Sequence, residues 1–267
     1  LPSGNPVVAL DAGEAFTLAL LQDGSVMAWG SNDSGQLGNG TVGSQSITPA
    51  LVLGLPTGTP VVAIAGGGGH CLALLQDGTV WTWGSNFSGQ LGNSTDTNRP
   101  TPMPVTDLPA GNPVIAIAAG YEHSLGLLQD GSIMAWGVNY SGQPGDGTDT
   151  NQYTPVPVIG LPTGTPVVAI ASGGSHSLAL LEDGSPMAWG DNSSGQLGDE
   201  TFMDRSTPVY ATPNTLELSR GAALMAAGGQ HTLAITGDGS VLSWGDNTYG
   251  QLGIGDTWSP QGVVWVP

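Results

Sequence analysis

Lysine is absent from this sequence, and its basic residues are Arg99, Arg205 and Arg220. Residues of either charge make up 9% of the 267 residues, and 21 acidic side chains give a formal net charge of -18. Binding to a nucleic acid backbone, or to an anionic membrane surface, requires clustered lysine and arginine. The composition therefore excludes both as expected partners.

Cysteine and long apolar runs are also scarce. The single cysteine, Cys71, excludes an internal disulfide framework and a multi-cysteine zinc site. No apolar run approaches the roughly 20 residues that a membrane-spanning helix needs, so membrane insertion is not expected. The opening Leu-Pro-Ser-Gly has neither an initiating Met nor an apolar signal segment, which predicts a processed or excised piece of a longer product.

A repeat of about 53 residues fills the chain. The dipeptide Trp-Gly recurs at spacings of 54, 53, 53 and 55, with its tryptophans at Trp29, Trp83, Trp136, Trp189 and Trp244. Five copies, one behind the other, predict a single domain without a second unit. The expected repeats are residues 1–54, 55–107, 108–160, 161–213 and 214–267.

Each copy has the pattern of four short strands. An apolar run such as VVAIA leads to a Gly-x-x-His turn and a second run, HSLALL. Asp-Gly follows, and we expect a two-residue hairpin in which both residues take positive φ. A third strand ends at Trp-Gly, a polar loop of about 15 residues follows, and a fourth strand closes the repeat. Radial repetition of four antiparallel strands predicts an all-β fold, a β-propeller of five blades.

The copies share the pattern Gly-x-x-His-Ser-Leu-Ala-Leu, Asp-Gly and Trp-Gly-x-Asn-x-x-Gly-Gln-Leu-Gly. Over the whole chain this pattern resembles the regulator of chromosome condensation (RCC1) repeat. The resemblance implies a propeller, usually with seven blades rather than five. The family's namesake is an exchange factor for a small GTPase and binds chromatin, a bacterial relative inhibits β-lactamases, and others are adaptors or extracellular modules. The resemblance thus implies the fold and leaves the function open.

Antiparallel order assigns the connections to two ends of each sheet. The Gly-x-x-His turns and long loops share one end, called here the loop end, and the Asp-Gly turns and linkers share the other, the hairpin end. The hairpin end is nearly uniform among the copies, whereas the loop end differs from copy to copy. Such variation indicates either drift or a surface shaped for an asymmetric ligand, and exposed aromatic residues favour a ligand. The candidate binding residues are Glu14, Asp33, Phe87, Tyr121, Tyr140 and Tyr249.

Residues that recur identically are interpreted as structural. The five tryptophans of Trp-Gly are expected in the core between blades. The histidines are expected to fix their turns by hydrogen-bonding a backbone group, and a metal ring is the weaker alternative because Phe16 replaces one member. These four residues are His70, His123, His176 and His231. Cys71 occupies a serine or threonine position and is expected to be buried and unreactive.

The long loops raise the question of calcium. Asp146, Asp149 and Asn151 supply oxygen ligands at short spacing, but the spacing does not match an EF-hand. Aspartate, asparagine, glycine and threonine also form ordinary turns, which is the preferred interpretation. No cofactor is expected, and no nucleophile elbow, phosphate-binding loop or paired-carboxylate pattern occurs.

Together these features predict a non-catalytic propeller that binds a protein or another macromolecule through the loop end. The alternatives are a structural subunit of an extracellular layer, fibre or adhesin, in which the chain would self-associate, and a carbohydrate-binding module. Abundant Thr, Ser, Asn and Gly predict an extracellular or cell-surface protein of a bacterium. Residue 267 should continue naturally into residue 1, which predicts a closed ring with adjacent termini, and the linker at 214–223 should differ in shape from the others.

Overall fold

Five four-stranded antiparallel sheets contain all the named strands of the computed structural model, which describes residues 2–211, 222–260 and 262–266. Each sheet keeps its strands in chain order, so every connection joins neighbours. The described residues contain no helix, and hence none that could cross a membrane. The predicted all-β fold with four strands in each of five copies is confirmed.

The strands have nearly the same lengths in every repeat. The first sheet has β1 (Val7–Ala12), β2 (Phe16–Leu21), β3 (Val26–Gly30) and β4 (Ser46–Leu51). The second has β5 (Val61–Gly66), β6 (His70–Leu75), β7 (Val80–Gly84) and β8 (Arg99–Pro104). The third has β9 (Val114–Ala119), β10 (His123–Leu128), β11 (Ile133–Gly137) and β12 (Gln152–Pro157). The fourth and fifth have β13 (Val167–Ser172), β14 (His176–Leu181), β15 (Pro186–Gly190), β16 (Arg205–Tyr210), β17 (Ala222–Ala227), β18 (His231–Thr236), β19 (Val241–Gly245) and β20 (Val264–Trp265).

Burial explains why these runs are apolar. Strands β6, β10 and β14 are buried at all six residues, as expected for an inner strand that is covered on both faces. The last strand of each of the first four sheets is an edge strand with a proline as its fourth residue, where a missing N–H is tolerated and limits pairing with another chain. These prolines are Pro49, Pro102, Pro155 and Pro208.

The Asp-Gly turns differ from the prediction. Gly24 N donates to Leu21 O and Leu21 N donates to Ser25 O, both at 2.9 Å, which closes a three-residue loop. Gly24 has a φ of 83°, but the φ of Asp23 is not positive. The prediction of positive φ at both positions is therefore wrong: the turn is type I followed by a left-handed glycine.

The aspartate has its own role in this turn. Asp23 Oδ1 accepts hydrogen bonds from the Ser25 hydroxyl at 2.6 Å and the Ser25 N–H at 2.9 Å. The bond from the Ser25 hydroxyl is the main cause that lowers the pKa of Asp23 to about 2, and hydrogen bonds with Asn5 and the Ser25 N–H add to it. Because the side chain closes the turn onto the next strand, aspartate is required here for its carboxylate and not for a left-handed backbone.

The described chain divides into two compact units. The first comprises Leu1–Gln129, Met134–Val138 and Asn151–Val156, and the second comprises Asp130–Ile133, Asn139–Thr150 and Pro157–Pro267. Within the first unit, β5 packs on β1 and β2, and β9 packs on β5 and β6; within the second, β17 packs on β13 and β14. Neighbouring sheets in a unit therefore meet through the first strand of the later sheet.

Two predictions fall on residues outside the described ranges. Ring closure concerns Leu1 and Pro267, and most of the linker at 214–223 belongs to the segment 212–221, which is likewise outside them. Both stay predictions. The strand order of each sheet places the Gly-x-x-His turn and the long loop at one end, where Ser31 N donates to Ala15 O at 2.8 Å and Ser85 N to Gly69 O at 2.8 Å.

Candidate functional site

Asparagine and glutamine side chains, most of them buried, fix the backbone of the long loops. Asn32 Oδ1 accepts a hydrogen bond from Leu37 N at 3.0 Å, and Gln36 Oε1 accepts one from Ser34 N at 2.9 Å. The asparagine bond recurs from Leu91, Leu197 and Leu252, and the glutamine bond recurs from Ser88, Ser141, Ser194 and Tyr249. The residue after each asparagine is thereby carried on a fixed backbone.

That residue is exposed in every repeat and differs among them. The five are Asp33, Phe87, Tyr140, Ser193 and Thr248. Phe87 is 69% exposed and Tyr140 is 76% exposed, and Tyr249, one position later in the fifth repeat, is 91% exposed. The predicted loop aromatics are therefore surface side chains, with Phe87 in the first unit and both tyrosines in the second.

Glu14 and Tyr121 lie together in the first unit. The Tyr121 hydroxyl donates to Glu14 Oε2 at 2.5 Å, and this bond raises the pKa of Tyr121. The Tyr121 ring lies over Gly68, where an added Cβ would be 3.0 Å from Cγ. Sequence comparison selected both residues as candidates, but nothing in the repeat pattern indicated that a bond joins the first and third copies across the second.

A further bond connects this pair of turns to the loop that carries Phe87. The Ser88 hydroxyl donates to Glu122 Oε2 at 3.2 Å, and Glu122 directly follows Tyr121. Asp33 accepts a hydrogen bond from the Ser31 hydroxyl at 3.1 Å within its own loop. The loop end of the first unit thus presents carboxylates beside exposed aromatic rings, and Ser88 and Glu122 are members that sequence reasoning missed.

The partners of His70 and His176 differ from the backbone groups that the sequence predicted. His70 Nε2 lies 2.9 Å from Ser124 Oγ, and His176 Nε2 lies 3.0 Å from Thr232 Oγ1, so each ring reaches the next repeat rather than a backbone group of its own turn. Ser124 donates onward to Gln90 O, which leaves its oxygen to accept from the imidazole N–H. Each of these two rings therefore connects its repeat to the next one.

Burial keeps these rings neutral. His70 and His176 are fully buried, and desolvation lowers the pKa of each to about 3. The ring also explains the first glycine of Gly-x-x-His: an added Cβ on Gly67 would be 2.5 Å from His70 Nδ1. A glycine is needed there because the ring covers its Cα. His231 is less buried, and desolvation also lowers its pKa.

Four of the Trp-Gly tryptophans join consecutive repeats. Trp83 Nε1 donates to Gln36 O at 3.0 Å, and the same bond to the preceding loop is made by Trp136, Trp189 and Trp244. These four tryptophans are fully buried, whereas Trp29 in the first repeat is only half-buried. Each glutamine carbonyl therefore connects its loop to the following sheet.

Two departures from the repeat have one explanation. Phe16 replaces the histidine of the first repeat, and Cys71 replaces the hydroxyl residue of the second, the position that the missing histidine would contact. Both are buried in one apolar cluster, and the Cys71 thiol donates to Gln36 O at 3.3 Å as the serine does elsewhere. An apolar pair has thus replaced a polar pair across this junction.

Restoring half of the polar pair is expected to destabilise the protein. Phe16→His buries an imidazole against a thiol, a poor acceptor, and should lower the free energy of unfolding by about 2 kcal/mol. Adding Cys71→Ser should recover at least about 1 kcal/mol of that loss. Denaturant titration of both single variants and the double variant measures the coupling, and simple additivity would show that the two positions do not interact.

One of the calcium candidates, Asp146, takes part in a turn. Asp146 Oδ1 accepts from the Thr148 N–H at 3.0 Å and from its hydroxyl at 2.9 Å, and Asn139 Nδ2 donates to the same oxygen at 3.2 Å. The described residues contain no group of three His, Cys, Asp or Glu side chains that could hold a metal ion. For Asp149 and Asn151, turn chemistry stays the predicted role and calcium binding the weaker alternative.

Pro144 stands where the other repeats have a buried leucine and has no N–H for Asn139 Oδ1. Pro144→Leu should restore that hydrogen bond and raise the free energy of unfolding by about 1 kcal/mol. Leu91→Pro, which removes the same bond from the second repeat, is the matched control and should destabilise. A Pro144→Leu variant less stable than the parent in urea would contradict this account.

Comparison with known proteins agrees with this architecture. The RCC1-like domain model matches residues 42–265, and the RCC1 repeat model matches residues 7–36. The chain is 33% identical to the ultraviolet-B receptor UVR8 of Arabidopsis thaliana, covering 95% of this chain and 56% of the receptor. It is also 33% identical to the human probable E3 ubiquitin-protein ligase HERC6, covering 95% of this chain and 25% of the ligase.

A solved structure of yeast RCC1 (Prp20) bound to Kap60 is similar in three dimensions. The TM-score is 0.82 at 26% identity, covering 97% of this chain and 63% of that one. The chain thus spans about half of UVR8 and a quarter of HERC6. The family models, the receptor and the yeast structure all match the same repeated sheets, and the chain belongs to the RCC1-like β-propeller family.

Proposed function

We propose that this chain is a non-catalytic scaffold that binds a protein partner through the loop end. The observation that carries the proposal is the loop frame: asparagine and glutamine side chains fix the backbone, and the variable residue that follows each asparagine is exposed. A fixed backbone that presents Phe87 or Tyr140 loses little entropy on binding, and aromatic residues dominate interface energies. Yeast RCC1, a relative of the same fold, was solved bound to Kap60.

A catalytic role has less support. His70 and His176 would be obvious candidates for acid–base chemistry, but both are fully buried and bonded to hydroxyls of the next repeat. General acid–base catalysis requires a group that can reach its substrate and titrates near the working pH. These imidazoles do neither, which supports a binding role.

Two other functions are distinguished by separate measurements. A structural subunit of an extracellular layer would form multimers without added protein, detectable by sedimentation. A carbohydrate-binding module would give a sugar-specific signal on a glycan array that depends on the loop aromatics. Protein binding is preferred over both because carboxylates and aromatic rings adjoin at the loop end of the first unit. We propose an extracellular or cell-surface location from composition alone.

Capture from an extract of the source organism tests the proposal. Phe87→Ala and Tyr140→Ala together should reduce the recovery of the principal partner at least tenfold, measured by quantitative mass spectrometry. Each exposed ring should contribute less than about 0.5 kcal/mol to folding, so the thermal transition should hardly change. Gln76→Ala and Gln129→Ala, exposed at the hairpin end, form the control and should retain the partner. Equal losses in both pairs would reject the loop end as the binding surface.

A further inference from the structure

An aromatic notch lies in the second unit, between the long loop of the fourth repeat and the end of the fifth. Its volume is about 500 Å³, and its walls include Glu200, Phe202, Trp258 and Pro260. Trp258 is 62% exposed and Phe202 is 47% exposed, although both are large apolar rings. The notch therefore places two solvent-exposed rings beside a carboxylate.

The other repeats show that the loop does not need these rings. Counted from the Trp-Gly dipeptide, the position of Phe202 holds Asp96 and Asp149 in the second and third repeats. The position of Trp258 holds Thr97 and Thr150 in those repeats. The same loop therefore folds with small polar residues, and exposing aromatic rings here has no structural purpose.

Glu200 is likewise unusual among its counterparts. It has φ of 61°, a left-handed conformation that costs a non-glycine residue free energy. Three repeats have glycine at this position, namely Gly40, Gly147 and Gly255. A carboxylate thus occupies a position where glycine would be more stable, next to the two rings.

Both rings are carried on anchored backbone. Asn247 Nδ2 donates to Trp258 O at 2.9 Å, and Trp258 N donates to Asp256 Oδ1 at 3.0 Å. In the opposing loop, Asn192 Nδ2 donates to Asp199 Oδ1 at 2.9 Å, and Arg205 forms a 2.7 Å ion pair with the same aspartate. The notch is consequently preorganised, which lowers the entropy lost on binding.

We propose that the notch binds an arginine side chain from a basic segment of the partner protein. A guanidinium stacks on tryptophan and phenylalanine faces while donating to a carboxylate, which matches the two rings and Glu200. The net charge of -18 attracts a basic segment, and the neighbouring cation, Arg205, is already paired with Asp199. This inference rests on the proposed function, since the notch is built from long loops of the loop end.

A labelled peptide, Gly-Arg-Gly-Arg-Gly, and its citrulline counterpart provide the probes, measured by fluorescence anisotropy at 150 mM salt. The arginine peptide should bind at least tenfold more tightly than the citrulline peptide. Phe202→Asp with Trp258→Thr, the residues of the second and third repeats, should weaken arginine binding at least tenfold and leave the thermal transition unchanged. Phe202→Asp adds a negative charge and would by itself strengthen the non-specific attraction to the basic peptide. A loss of affinity in this variant therefore cannot be a charge effect.

Matched variants decide the remaining outcomes. Glu200→Gly should also weaken binding while stabilising the loop, and Tyr210→Ala, an exposed aromatic outside the notch walls, should not change it. Unchanged arginine binding by the Phe202→Asp, Trp258→Thr variant would overturn the proposal, as would Trp258-dependent binding of an oligosaccharide without arginine binding. If that variant still captures the partner while Phe87→Ala with Tyr140→Ala does not, the notch is rejected and the proposed function stands.

Discussion

The free energy of unfolding is expected to fall steeply as the pH is lowered from about 6.5 towards 3. His70 and His176 are neutral in the folded protein because burial lowers the pKa of each to about 3, whereas an unfolded histidine titrates near 6.5. Between these values the unfolded chain binds protons that the folded chain excludes, so stability is complete above pH 6.5 and is lost on acidification. Each ring contributes about 1.4 kcal/mol per pH unit, on the order of 5 kcal/mol for both at pH 4.5.

Urea titrations at pH 7.5, 6.0, 5.0 and 4.5 measure this loss. The hairpin aspartates affect stability only at lower pH. The hydrogen bond from the Thr79 hydroxyl is the main cause of the lowered pKa of Asp77. The stability that this carboxylate contributes is therefore lost only below about pH 4. His70→Phe, which copies the first repeat, should reduce the slope between pH 6 and 5 by about one proton. Equal stability at pH 7.5 and 4.5 would show that the rings are accessible to protons in the folded state.

Gly67→Ala should destabilise the protein by at least about 3 kcal/mol, or prevent folding. The new Cβ would overlap Cε1 of the buried His70 ring and the carbonyl oxygen of Gly120 in the next repeat. Neither can retreat, because the ring is bonded to Ser124 and the carbonyl belongs to the backbone. The cost arises from a close approach, since Gly67 does not have a positive φ.

Gly229→Ala supplies the control for this effect. Gly229 occupies a turn of the same type, but an added Cβ would meet nothing within 4 Å and its φ is not positive. Its substitution should change the free energy of unfolding by no more than about 0.5 kcal/mol. A comparable loss in the two variants would mean that these turns need glycine for backbone freedom rather than for contact with the histidine ring.

The repeated elements could be predicted because they depend on local pattern. Apolar runs, turn glycines and five copies in register determine four strands per repeat, and the structure has them in that order. The hairpin was predicted from Asp-Gly alone, and the error at Asp23 arose because Ser25 follows it. The bond from Ser25 to the carboxylate favours a type I turn over the one in which both residues are left-handed.

The sequence pattern could not predict the contacts between copies. The partner of His70 is 54 residues away in the next repeat, and comparing copies showed that the residue recurs without showing what it touches. For the same reason, comparing the copies did not predict the bond from Tyr121 to Glu14 or the pairing of Phe16 with Cys71. The exposed aromatics were predicted correctly as loop residues because the copies differ there, but their fixed backbone required the hydrogen bonds of the asparagine and glutamine side chains.

Site-specific photocrosslinking tests binding by the loop end most directly. A benzoylphenylalanine placed at Phe87 keeps an aromatic ring at the loop end, and one placed at Gln76 reports on the hairpin end of the same sheet. After irradiation in an extract of the source organism, we expect a discrete protein adduct at position 87 and none at position 76. The adduct should disappear when unlabelled chain is added in excess. An adduct that forms only at position 76, or equally at both positions, would contradict a partner surface at the loop end.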